Sequence, residues 1–70
     1  MSKEFYCVNM DWGHDFYFRS LEHAREFLWK MYCDYYANES EQEQQSALIE
    51  MIEHFLIQGV GYIYVYEFED

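Results

Sequence analysis

The sequence predicts an α+β domain in two layers: a ββααβ order, with a three-stranded, mainly antiparallel sheet packed on one side by a helical hairpin. Three observations predict it. The chain opens with two short runs rich in aromatic residues, joined by a turn that contains glycine. Two stretches with apolar residues at spacings of three and four follow, each preceded by a serine able to cap a helix. The chain then closes on "GYIYVYEFED", a run of strong strand formers. Seventy residues leave room for one core, so residues 1–70 are read as a single domain. That length is near the lower limit for independent folding, and the 23% aromatic content compensates, because each large ring removes roughly 150–250 Å² from water when packed.

The first strand is "EFYCVNM" (4–10) and the second "DFYFRS" (15–20), with "DWGH" between them. Trp12-Gly13 as a two-residue primed turn pairs Met10 with Asp15, Val8 with Tyr17 and Tyr6 with Arg19. This register sends Phe5, Cys7, Phe16 and Phe18 to one face, and Tyr6, Val8, Met10 and Tyr17 to the other. A slip of one residue would invert it. Ser20 caps the first helix, read over 21–36, with Glu22 in its first turn. Leu21, Ala24, Leu28, Met31 and Tyr35 form its main stripe, and Trp29, Cys33 and Tyr36 a second ridge. Ser40 with Glu43 reads as a capping box opening a second helix over 41–58. Its apolar set is Ala47, Leu48, Met51, Ile52, Phe55 and Leu56, and Gly59 is the expected left-handed residue past its end. The final strand, 60–68, places Tyr62, Tyr64, Tyr66 and Phe68 away from the helices, with Ile63 and Val65 towards them.

Charge bounds the function. Four basic residues stand against fourteen acidic ones, a formal net charge of −10. Lys3, Arg19, Arg25 and Lys30 all precede residue 31, whereas residues 31–70 carry nine acids and no Lys or Arg. Direct nucleic-acid binding and binding to acidic membranes are therefore excluded, because both surfaces would repel the chain. A basic protein would be attracted and steered. No run approaches the roughly 18 apolar residues of a membrane span. "MSKEFYCV" does not resemble a secretion signal, so a cytoplasmic protein with Cys7 and Cys33 reduced is expected.

No chemistry-bearing constellation emerges. His14, His23 and His54 are not at metal-ligand spacing, and Glu50 with His54 reads as a surface ion pair. Gly59 and Gly61 follow a helix rather than opening a phosphate loop. Cys7 falls on the expected core face. No catalytic residue, metal or cofactor is assigned, and the chain is expected not to be an enzyme.

Two binding regions are expected instead. Acids gather at the start of the second helix (Glu39, Glu41, Glu43) and at the C-terminus (Glu67, Glu69, Asp70), with the helix start favoured as the partner-binding cluster. Trp12 at the hairpin tip either anchors a partner or folds back over the tyrosines. Tyr62, Tyr64, Tyr66, Tyr6 and Tyr17 form an aromatic outer face expected to make a homodimer. In composition the chain resembles the small, acidic, aromatic-rich inhibitor proteins of bacteriophages. That resemblance implies an antagonist, acting in the host cytoplasm as a DNA mimic, of a basic nucleic-acid-binding protein such as a restriction or CRISPR nuclease. The alternative is a structural or adaptor protein that dimerises through its tyrosines and carries its acids for solubility.

Overall fold

The computed structural model describes residues 2–69, with side chains from 3 to 67. Six elements follow in order: β1 (Ser2–Met10), β2 (Asp15–Phe18), α1 (Leu21–Tyr35), α2 (Glu41–His54), β3 (Leu56–Ile57) and β4 (Gly61–Glu69). The sheet has four strands, not three, in the order β2-β1-β4-β3, and every pairing is antiparallel. The extra strand comes from the end of the expected second helix. Phe55 adopts φ 59°, ψ 30° and stops α2 at His54, so Leu56 and Ile57 can pair with Tyr62 and Gly61. The Ile63 N–H then donates to the Phe55 carbonyl at 2.6 Å, which fixes the kink to the sheet. Gly59 does have a positive φ, 83°, but it serves the β3–β4 turn, closed by the Val60 N–H donating to Ile57 O at 3.0 Å. That is the position where a type II turn requires glycine.

The first hairpin also departs from expectation. Its loop has three residues, Asp11, Trp12 and Gly13, because the Met10 N–H donates to His14 O at 2.8 Å. Gly13, at φ 99°, donates to Met10 O at 2.9 Å. A turn followed by a left-handed glycine is the usual three-residue hairpin loop. The register is therefore Tyr6 to Phe18, Cys7 to Tyr17, Val8 to Phe16 and Asn9 to Asp15. One residue of slip inverts β1 relative to the expected arrangement. Tyr6, Val8 and Met10 face the helices, and Phe5 and Cys7 face away. Cys7 is thus not a core residue beneath the helices.

The core lies between the sheet and α1. Val8, Met10 and Ile63 meet Ala24, Leu28 and Tyr32 of α1, with Met51 of α2 and Ile57 and Val60 closing the far end. The ridge Ala24, Leu28, Tyr32 is the buried line of α1, while Tyr35 and Cys33 are exposed. Both serine caps form: the His23 N–H donates to Ser20 Oγ and the Glu43 N–H to Ser40 Oγ. In α2 only Met51 is buried, whereas Leu48 and Ile52 are exposed together with Ile49. The helix is tied to β3 through its C-terminus, and that connection turns much of its apolar stripe away from the core.

β1 and β4 pair along nine residues each, but β2 reaches only Tyr6–Asn9 and β3 only Gly61 and Tyr62. The 2–5 and 66–69 segments therefore run on as a two-stranded ribbon. The molecule is long and thin, 45 × 23 × 15 Å. Its accessible surface of 5160 Å² exceeds the ~4,700 Å² expected for its mass.

Candidate functional site

The outer face of the sheet carries the most unusual surface. In β4, Tyr62, Tyr64 and Tyr66 alternate outwards, their rings 4.8 Å and 6.1 Å apart in succession. Phe5 stacks on Tyr66 at 5.0 Å with a 13° interplanar angle and approaches Tyr17 at 5.9 Å. Cys7 lies between Tyr17 and Tyr64 in the register and is only 3% exposed, covered by aromatic neighbours rather than by a helix. Tyr17, Tyr64 and Tyr66 remain 65%, 47% and 44% exposed. At ~3.3 Å per residue and ~4.8 Å between strands, β1 and β4 with the four residues of β2 span roughly 350 Å², the scale at which an apolar patch on a monomer signals an interface.

The Tyr17 and Tyr62 phenols and the Cys7 thiol of this face are neutral at pH 7, with Asp15 at its edge. The Tyr62 phenol is held above its ordinary value, first by its hydrogen bond with Tyr64 and then by burial. Tyr17 is raised by the neighbouring Cys7 and Asp15. Burial pushes the Cys7 thiol up, followed by the charge of Asp15. Asp15 accepts a hydrogen bond from the Asn9 amide at the edge of the face. On the other side of the sheet, Tyr6 is raised by donating to the Glu4 carboxylate at 3.0 Å, and Tyr32 by burial and then by Glu43.

Those shifts carry an alkaline prediction. Each of these groups titrates higher folded than unfolded, so each contributes stability that is fully present below its unfolded value, near 10 for the tyrosines. That stability is lost as pH rises through the folded values. The urea midpoint should stay level to about pH 8 and fall as pH rises past about 10. A midpoint unchanged across that window would contradict the hydrogen-bonded, neutral tyrosine face.

Of the five residues expected on the dimer face, Tyr17, Tyr62, Tyr64 and Tyr66 lie together and Tyr6 does not. The register shift puts Tyr6 on the helix side, where it packs against the core. Phe5 and Cys7 take its place. Trp12 is 48% exposed but neither projects freely nor covers the tyrosines: it packs on His14 at 4.5 Å and meets the edge of Phe16 at 6.3 Å, on the helix side.

The acids at the start of α2 are partly gathered. Glu39, Glu43 and Glu50 line one open groove with Tyr32 and Tyr36, of about 420 Å³. Glu41 is exposed on another side of the helix, since successive residues differ by about 100° around the axis. Glu50 thus belongs to the cluster although it lies outside "EQEQQS", because seven residues return it to the face of Glu43. The expected Glu50–His54 pair is not formed; His54 Nε2 lies 3.9 Å from Glu53. In the C-terminal cluster, Glu67 lies opposite Glu4 on the ribbon. The side chain of Glu69 and all of Asp70 lie outside the described residues, as does the side chain of Phe68.

No helix among the described residues is long and apolar enough to cross a membrane. Comparison with family models, with curated proteins and with solved structures gave no match. The functional reading therefore rests on this chain's own residues.

Proposed function

We propose that the protein is a small binding protein rather than an enzyme, an antagonist that occupies the basic surface of a nucleic-acid-binding partner, of the kind bacteriophages direct against restriction or CRISPR nucleases. One observation carries the reading: residues 31–70 hold nine acids and no Lys or Arg, and Glu39, Glu43 and Glu50 lie along one groove. A folded body that fixes carboxylates in space without neighbouring cations attracts a surface built to hold phosphates. Long-range attraction of this kind acts mainly on the rate of association.

The test replaces Glu39, Glu43 and Glu50 by Gln, which removes three charges at little cost in helix propensity. The comparison set is Glu67→Gln, Glu69→Gln and Asp70→Asn. Capture of proteins from a bacterial lysate, at low and high salt, should enrich basic nucleic-acid-binding proteins. The groove variant should lose them more than the tail variant, with the deficit shrinking as salt rises. Equal capture by wild type and both variants would return the acids to a solubility role.

The neutral tyrosine face supports the second reading, a homodimer. Its rings are exposed, and their neutrality lets two copies approach there without stacking charge on charge. Dimerisation through this face leaves the acids of α2 free, so both readings can hold together.

A further inference from the structure

A second uncovered apolar surface lies on the helices, and its electrostatics differ from those of the tyrosine face. Between α1 and α2 runs an open groove of about 420 Å³, lined by Glu22, Arg25, Glu26, Trp29, Leu48 and Met51. Its apolar floor continues along α2. Ile52 lies one turn beyond Leu48, and Ile49 lies three residues before Ile52; Leu48, Ile49 and Ile52 are 37%, 56% and 48% exposed. The stripe survives because β3 holds the C-terminal end of α2, so Met51 is its one buried residue and Ala47 packs against the core beside it. Carboxylates surround it: Glu22 and Glu26 on α1, and Glu53 one turn beyond Ile49 on α2. The one cation in the lining, Arg25, has its guanidinium 5.3 Å from the centre of the Phe55 ring.

We infer that this groove is a docking site for a basic amphipathic helix of a partner protein, whose leucine-like side chains enter between Trp29 and Leu48 and whose lysines or arginines meet Glu22, Glu26 and Glu53. Charge complementarity selects this occupant. A second copy of the chain would bring the same carboxylates against the rim, at a net charge of −10 each, whereas a basic helix neutralises them. Recognition of this kind reads apolar anchors at helical spacing and uses flanking charges for orientation. The inference rests on the basic-partner reading above and adds the surface and the structural form that the partner presents.

The test uses the full chain and a synthetic peptide of about 18 residues, built only of leucine and lysine with leucines at i, i+3, i+4 and i+7. A peptide of the same composition with its order scrambled is the control. Titration followed by NMR should shift the Trp29 indole and the Leu48 and Ile52 methyl signals, and the scrambled peptide should bind at least tenfold more weakly. Leu48→Asp with Ile52→Asp is the decisive variant. Both side chains are exposed, so the fold should stand, which an unchanged thermal midpoint would verify. The substitutions add two negative charges, so a purely electrostatic contact would tighten, whereas docking in the groove should weaken at least tenfold. Unchanged or tighter binding by this variant, shifts confined to Tyr62–Tyr66, or no saturable binding at all would overturn the inference. If the double variant still captured basic proteins in a salt-dependent way, the groove would fall while the basic-partner reading stood. Loss of salt-dependent capture by wild type would remove both.

Discussion

Gly61→Ala is expected to remove about a third or more of the stability of the fold. A Cβ at residue 61 would sit 2.7 Å from the carbonyl oxygen of Asn9 and 3.2 Å from Met10 Cα. Both are backbone atoms, so no side chain can swing aside; β1 itself would have to move away from β4. Gly61 also pairs with Met10 on one side and Ile57 on the other, so displacement breaks the centre of the sheet. Overpacking of this kind costs about 3 kcal/mol, and a domain of this length has roughly 3.5–10 kcal/mol in total. Gly13→Ala separates the two reasons for a glycine. At Gly13 nothing lies within 4 Å of a built Cβ, but φ is 99°, so only the cost of a left-handed conformation remains, about 1–2 kcal/mol. Urea titration should therefore place Gly61→Ala well below Gly13→Ala. The reverse order would mean that β1 and β4 do not approach as closely as described.

Tyr64→Glu should convert a homodimer into a folded monomer. Tyr64 lies at the middle of the outer face, beside Tyr62 and Tyr66 and across from Cys7. Two copies meeting there would bury two like carboxylates among aromatic rings, a cost of several kcal/mol, and the dissociation constant should rise at least a hundredfold. Stability should change little, since Tyr64 is 47% exposed and lies outside the core beneath the helices. Sedimentation of wild type and variant at high micromolar concentration reads the difference. A wild-type protein that sediments as a monomer there would refute the dimer.

The parts of the fold legible from sequence are those with one unambiguous local signal. Ser20 and Ser40 mark both helix starts because a short hydroxyl side chain before an apolar period has few other uses. Ala24 and Leu28 point into the core as their spacing requires. The tyrosines of β4 fall on the uncovered face because Ile63 on the alternate face is the side chain that α1 buries. Legibility fails where two readings satisfy the same residues. "DWGH" closes a two-residue or a three-residue loop equally well, and "FYCVNM" is apolar on both faces, so alternation could not select the register. Tyr6 is the residue that this ambiguity moves from the outer face to the helix side. In "HFLIQG" the apolar run continues the helical period, and nothing in the residue type announces that Phe55 turns left-handed; a bulky residue there is uncommon. The misplaced end of α2 then hid β3 and left Leu48 and Ile52 looking like core. Glu50 joins the acidic cluster through its helix face, which proximity in sequence does not display.

The most direct measurement of the account is a competition. A basic protein captured by the chain is loaded with a labelled duplex, and the chain is then added while duplex anisotropy is followed. Occupation of the phosphate-binding surface predicts release of the duplex at about one equivalent, and weaker release by the Glu39, Glu43, Glu50 to Gln variant at low salt. A duplex that stays bound while the chain binds the same partner would contradict it.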